Sequence, residues 1–474
     1  MKKIKLLLLS VLLLFTSGAC FEDMDDNLRI SSSLEIKNFI YSAMNIWYLY
    51  KSDVPDLADN RFGSPSELDQ FLESFESPES LFYDGLVYEP SDRFSYITND
   101  YRVLEAQLAG VSVHHGMEYG LVYYPGSDVN VFGYVRYILP NSDAASKGVT
   151  RGLIFNSING AQLTVNNYTE LNTLDAYEIG LATFDGSTVT STGESISLVK
   201  SQMSENPVHI ATTLDFGGQH VGYLMYNAFT SDFNNQLNDA FGLLKAENIT
   251  DLIIDLRYNG GGSVRTATYL AGMITGQFNG EVFYTEHWNP DLQAYFEETD
   301  PQRLVGRFVS SMDGGGALNS LNLNRVFVLT TSNTASASEL VINGLKPYVE
   351  VIQIGANTTG KFQASSIFYD GPAPNFRRSE ANPGHYYAIM PLIFTTANGN
   401  GETGYVDGLA PDITLYEDYT NMGILGDENE PLLNTALNYI LMNPPVYRNT
   451  VQMREFTNSK AHLPGYRRMF VENN

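Results

Sequence analysis

A mixed α/β core, preceded by a small helical domain and a β-rich domain, is the architecture this sequence predicts. Three observations carry it. "DLIIDL" (251–256) is a short apolar run followed by glycines and by a helical stretch from Val264 to Thr275, the pattern of a strand covered on both faces and returned by a helix. "RVFVLTT" (325–331), a helix over Ser336 to Leu345 and "YVEVIQIG" (348–355) repeat that unit. "SPSELDQFLESF" (64–75) instead puts Leu68, Phe71, Leu72 and Phe75 on one helical face, behind a Ser64 and Glu67 capping box with Pro65 in the first turn.

The remaining elements follow the same periodicities. Leu34 to Tyr50 carries Ile36, Ile40, Ala43 and Trp47 at helical spacing. "YGLVYY" (119–124) and "VNVFGYVRYIL" (129–139) read as strands, "SDAASKGVTRGLIFNSINGAQL" (142–163) as a short helix, a turn and a strand, and "NNYTEL" (166–171) opens a second helix. "HVGYLMYNAF" (220–229) is a strand, Phe233, Leu237, Phe241 and Leu244 mark an amphipathic helix, and "EPLLNTALNYI" (430–440) closes the core. The tail from Asn443 reads as polar and irregular. The expected divisions are 1–19, a signal; 20–33, an acidic tether; 34–105, the helical domain; 106–203, the β domain; 204–442, the core; and 443–474, the tail.

At 474 residues, with 43% hydrophobic and 12% aromatic side chains, the chain has ample material for a packed core. Its formal charge of −26 offers nothing to nucleic acid or to an anionic membrane surface. Lys2, Lys3 and Lys5, the apolar run Leu6 to Phe15 and Ser17-Gly18-Ala19 form an export signal too short to span a bilayer. Cys20, the single cysteine, falls on the first position after the small residues. That placement resembles a lipoprotein signal, with Ser17 where leucine is usual, and implies acylation of Cys20. The alternative is a secreted protein with one free thiol. "FEDMDDN" (21–27) resembles a surface-export tag of Gram-negative lipoproteins and reads equally as a solvated tether.

Gly355, Gly360 and Lys361 reproduce the G-x-x-x-x-G-K spacing of a phosphate-binding loop. Phe362 stands where the magnesium-binding hydroxyl belongs, and the following residues read as extended chain rather than as a helix aimed at phosphate. Nucleotide binding is therefore not expected. There is no G-x-S-x-G, no H-E-x-x-H and no cysteine cluster, and no metal or cofactor is called for.

A serine and a lysine remain. "TASASELVINGL" (334–345) places Ser336 at a strand-to-helix junction, where a helix N-terminus holds developing negative charge. Ordinary capping by Ser336 or Ser338, with Glu339 closing a box, explains the same residues. Strand–helix–strand topology brings Lys361 back beside that helix start. Among uncharged neighbours its pKa falls to roughly 7–8, the range of a general base. A competent Ser–Lys pair needs about 3 Å between Oγ and Nζ. "DLRYNGGGSV" (255–264) adds glycine amides that, with the Ala337 N–H, make an oxyanion hole; a plain βα turn is the competing reading.

"DLRYNGGG", "TTSNTASASELVINGLKPY" and "TTGK" resemble the tail-specific, or C-terminal processing, serine proteases, relatives of the tricorn protease core and of the retinoid-binding repeats of the eye. "MNIWYLY" and "DRFSYI" (92–97) are similar to the N-terminal region of lipoprotein members, and the strands from 119 onward resemble a PDZ module, with Leu153 where an acidic residue is usual. The resemblance implies a ClpP/crotonase-like α/β protease core with an inserted PDZ-like domain. It implies Ser336 as nucleophile, Lys361 as base, Glu339 as acidic support, and Gly261 (or Gly260 or Gly262) with Ala337 as oxyanion hole. Many members carry glutamine four residues after the lysine; here that position is Ser365, and Gln363 lies two residues early. Gly120, Leu121 and Val122 are the implied peptide-binding strand. The expected function is a serine endopeptidase of a Gram-negative-type cell envelope, anchored by lipid and acting on protein or peptide substrates. The alternative is a non-catalytic peptide- or lipophilic-ligand-binding lipoprotein on the same fold.

Overall fold

The computed structural model describes residues 30–442 and 452–472. The signal, Cys20 and most of the acidic tether lie outside the described residues. Helix α1 (Ser33–Trp47) begins at a capping box between Ser32 and Glu35, and α2 (Pro65–Glu73) begins where Ser64 accepts the Glu67 N–H. Both are the expected amphipathic helices. They do not enclose a core of their own: Ile40, Met44, Tyr48 and Phe82 belong to the same apolar cluster as Phe283, Trp288 and Phe394 of the core. Trp47 stacks on Phe368 at 5.4 Å, and Asn289 donates to the carbonyls of Ile46 and Tyr48. An apolar helical face announces that it will be buried, not against which partner.

An antiparallel sheet follows, formed by β1 (Met117–Tyr123), β2 (Val131–Ile138), β3 (Ile154–Ile158), β4 (Ala176–Phe184) and β5 (Val189–Val199), paired in that order. Its inner face buries Leu121, Val135, Phe155 and Ile179.

The core has two sheets. The first contains β6 (Val208–Phe216), antiparallel to β7 (Gln219–Tyr226), then β8 (Asp251–Asp255), β12 (Arg325–Thr330), β13 (Glu350–Gly355) and β16 (Ile413–Thr414), all parallel from β7 onward. Alternation along these strands sends side chains to two layers. Tyr223, Ile253, Phe327 and Ile354 pack with Leu432, Leu433 and Leu437 of α6 (Pro431–Ile440). Leu224, Ile254 and Val328 face Phe241 of α3 (Asn234–Ala246), Leu270 of α4 (Val264–Thr275) and Leu340 of α5 (Ala337–Leu345).

The second sheet runs β9 (Gly262–Ser263), β18 (Met469–Phe470), β14 (Gln363–Ser365), β15 (Leu392–Asn398), β10 (Val282–Trp288), β11 (Val305–Arg307). Here the expectation of an irregular tail is corrected. β18 lies between the two strands that leave the glycine loop and Lys361, and a second tail strand, β17 (Glu455–Asn458), extends the antiparallel sheet on the open side of β1. Neither tail strand has an apolar period strong enough to be read alone, because each is held by backbone pairing to strands 100 to over 300 positions away.

Two leucines from adjacent helices test the layer assignment. Leu270→Ala, at a fully buried position, is expected to lower the unfolding free energy by about 2–5 kcal/mol. Leu243→Ala, 66% exposed on α3, is expected to change it by less than about 0.5 kcal/mol. Urea unfolding of both variants checks the pair.

Candidate active site

The junction between β12 and α5 sets the site. Ser336 immediately precedes α5 and has φ 67° and ψ −116°, a conformation that residues with a Cβ avoid. Such strain amounts to about 1–3 kcal/mol and persists only where the surroundings enforce it. The Ser336 side chain is fully buried; it stands in capping-box relation to Glu339, but no hydrogen bond of full geometry engages its Oγ.

Glu339 enforces the turn. One carboxylate oxygen accepts the Ser336 N–H at 2.7 Å and the Lys361 N–H at 2.9 Å. The other accepts the Gly360 N–H at 2.7 Å and the Thr358 hydroxyl at 2.5 Å. A single side chain on the first turn of α5 thus holds both the serine and the loop that delivers the lysine. Burial raises the pKa of this carboxyl above the ordinary value, and the four bonds only partly oppose it. Four donors converging on two oxygens are satisfied by the carboxylate form. The Gly360 amide, which a phosphate loop would turn toward its ligand, is here given to Glu339.

Gly360 has φ 86°, and a Cβ there would sit 2.2 Å from the Val406 carbonyl oxygen. Glycine is required by this close approach. Lys361 then enters β14 fully buried, its Nζ without a hydrogen-bond partner and 5.4 Å from the centre of the Phe94 ring. Its pKa lies well below the ordinary lysine value, first through burial and then through the positive charge of Arg468, with Asp92 and Glu339 opposing. Asp92 is itself saturated by the Phe94 and Ser95 amides and by the Tyr48 and Ser95 hydroxyls. Sequence reasoning missed this cradle of Asp92, Phe94 and Arg468. "DRFSYI" was visible as a motif, but its side chains reach the lysine only through the tertiary fold.

The expected contact between the pair is absent in this conformation. Neither Ser336 Oγ nor Lys361 Nζ reaches a hydrogen-bond partner, so Glu339 ties the two backbones together while the side chains are not joined. Gln363 donates to the Tyr50 hydroxyl at 3.1 Å, and the Ser365 hydroxyl is buried without a partner; neither supports the lysine amine.

Gly261 touches the serine directly, since a Cβ on it would lie 2.6 Å from Ser336 Cβ. Its φ of 103° also demands glycine. The Gly261 N–H, however, donates to Asn259 Oδ1 at 2.8 Å, so as an oxyanion donor it is occupied here. The Ala337 N–H opens α5, where no helical carbonyl is available to it. Gly260 faces Tyr466 and Arg467, and Gly262 pairs with Met469 in the sheet. A cleft lies between Met117 and Tyr119 of the antiparallel sheet, this glycine loop, and Lys460 and Tyr466 of the tail. Gly120, Leu121 and Val122 lie on β1 and pair with Asn458, Thr457 and Glu455 of β17.

Removing the strain and removing its enforcer have opposite consequences. Ser336→Gly is expected to raise the unfolding free energy by about 1 kcal/mol. Glu339→Gln, which turns an amide donor toward amide donors, is expected to lower it by about 3 kcal/mol. Denaturant titration of the two variants checks the signs.

The sequence matches the model of Peptidase family S41 over residues 220–414 and that of the Peptidase S41 N-terminal domain over residues 35–96. It is 25% identical over 177 residues to the chloroplastic carboxyl-terminal-processing peptidase 2 of Arabidopsis thaliana, an alignment spanning 36% of this chain and 31% of that protein. The fold superposes on a candidate S41 protease from Bacteroides fragilis NCTC 9343 with TM-score 0.65 and 25% identity, covering 85% of this chain and 97% of the other. The photosystem II D1 C-terminal processing protease is a looser likeness, with TM-score 0.49 and 18% identity, covering 85% and 100%. With both of its domain models present and a fold of the same kind, the chain belongs to peptidase family S41.

Proposed function

We propose that this S41 protein is a serine-type endopeptidase in which Ser336 is the nucleophile and neutral Lys361 the general base. The observation that carries the reading is the shared clasp: one Glu339 oxygen binds the backbone amides of both residues. In the reactive arrangement Lys361 Nζ takes the Ser336 Oγ proton as Oγ attacks the scissile carbonyl carbon. The carbonyl oxygen gains the negative charge and is received by the Ala337 N–H and by an amide of the Gly260–Gly262 loop, Gly261 serving once it leaves Asn259. The lysine then returns its proton to the departing amine, and water releases the acyl group by the reverse sequence. An approach of Nζ from beside Phe94 toward Oγ completes the dyad.

The antiparallel sheet from Met117 to Val199 serves on this reading as a PDZ-like module that presents extended or C-terminal peptides by strand addition to β1. On the same reading the core adopts a ClpP/crotonase-like arrangement, and the export-type N-terminus with Cys20 supports a lipid-anchored enzyme of the cell envelope. The separated dyad atoms favour the second reading, a binding protein on the same fold. Against it stand the strained serine and the buried lysine whose pKa is held well below its ordinary value. Each is destabilising, and neither contributes to ligand binding alone.

Labelling of Ser336 by a fluorophosphonate, with cleavage of an unstructured protein, tests the assignment. Ser336→Ala and Lys361→Met are both expected to lose labelling and cleavage while remaining folded; undiminished cleavage by either contradicts the dyad. Labelling of the wild type is expected to rise with pH through the depressed lysine pKa. The stability sign follows from the same shift. The unfolded chain, with lysine at about 10.4, binds more protons than the folded one between the folded pKa and that value. The wild type is therefore expected to gain stability relative to Lys361→Met as pH rises across this interval, by urea unfolding at a series of pH values.

A further inference from the structure

We propose that residues 452–472 of this chain are a displaceable occupant of its own substrate path, so that an extended peptide substrate binds by taking their place. The inference rests on the peptidase reading above and concerns regulation of that site. Two separate stretches of the tail carry it. β17 adds to β1 through its backbone: the Tyr123 N–H donates to the Arg454 carbonyl, the Ser459 N–H donates to the Tyr119 carbonyl, and Thr457 and Asn458 sit opposite Leu121 and Gly120. This is the strand edge assigned to peptide. β18 then runs between the two walls of the catalytic pocket, Met469 opposite Gly262 and Phe470 opposite both Ser263 and Ser365, with the Val471 N–H donating to the Ser365 carbonyl. Between the two strands, Tyr466 and Arg467 cover Gly260, and Arg468 donates to the Phe94 carbonyl on the segment that faces Lys361.

The pairing on both strands is backbone to backbone, which any extended peptide can reproduce. Side-chain anchors make this segment the resident one. Arg136 pairs with Glu455 at 2.7 Å, and Glu472 accepts from the hydroxyls of Ser231 and Ser263 at 2.6 and 2.7 Å. Being tethered, the tail competes at an effective concentration on the order of millimolar, so a weak contact set suffices to keep it in place. A resident strand over the glycine loop and against Phe94 also accounts for a serine and lysine that are buried and not joined.

The test uses the full chain with Glu455→Gln and Glu472→Gln together, two tail anchors that contact neither Ser336 nor Lys361. Labelling of Ser336 by a fluorophosphonate is expected to become about tenfold faster as the two charge-assisted anchors are weakened. A synthetic peptide of residues 452–472 is expected to slow it again. Amide exchange at Tyr119 and Tyr123 reads the tail independently of chemistry, and is expected to rise in the variant and fall with the peptide. Unchanged exchange overturns the proposal, because the tail is then a fixed strand; faster exchange with unchanged labelling overturns it too, because the tail then leaves without opening the site. If no form labels, the serine assignment fails. Exchange that rises in the variant and is reversed by peptide still supports a displaceable occupant.

Discussion

Everything at the site depends on one buried carboxylate. Glu339 accepts four hydrogen bonds, from the amides of Ser336, Gly360 and Lys361 and the hydroxyl of Thr358, and so ties the start of α5 to the loop that follows β13. The parallel order of β12 and β13 brings those two segments to the same end of the sheet. The carboxylate converts that proximity into a fixed relation between backbones. It leaves the side-chain ends free, which is why the pair can be positioned and yet unjoined.

Two further features oppose stability and are tolerated only because the surrounding structure is dense. Ser336 holds a positive φ against the Gly261 backbone, and Lys361 is buried without a partner for its amine. An unpaired ammonium at such depth is far more costly than a neutral amine, so burial holds the Lys361 pKa well below its ordinary value. Arg468, contributed by the tail, strengthens that effect with its own charge. The tail therefore acts on the pocket in two ways, by covering it and by biasing its electrostatics.

Much of this was legible before any coordinates. Short apolar runs in β8, β12 and β13 identify strands covered on both faces, and the small residues before α5 identify a tight junction at Ser336. The phosphate-loop spacing misleads only until Phe362 is considered. Other features had no local signal. Asp92, Phe94 and Arg468 meet Lys361 from opposite ends of the chain. The donation of the Gly261 amide to Asn259 is a matter of rotamer and turn geometry that spacing does not encode. The tail strands are polar and short, and their order comes from partners rather than from their own period. The helical segment has a clear apolar period, but that period does not show that its apolar face completes the core's cluster.

The claim on which the account turns is that Lys361 is an uncharged amine held beside Ser336. Carbon-13 NMR titration of the lysine Cε and Cδ signals, with Lys361 assigned by comparison with Lys361→Met, measures its charge directly. The account predicts that Lys361 is neutral at pH 8 and titrates well below the other lysines. A Lys361 signal that titrates with them, near 10.4, would contradict it.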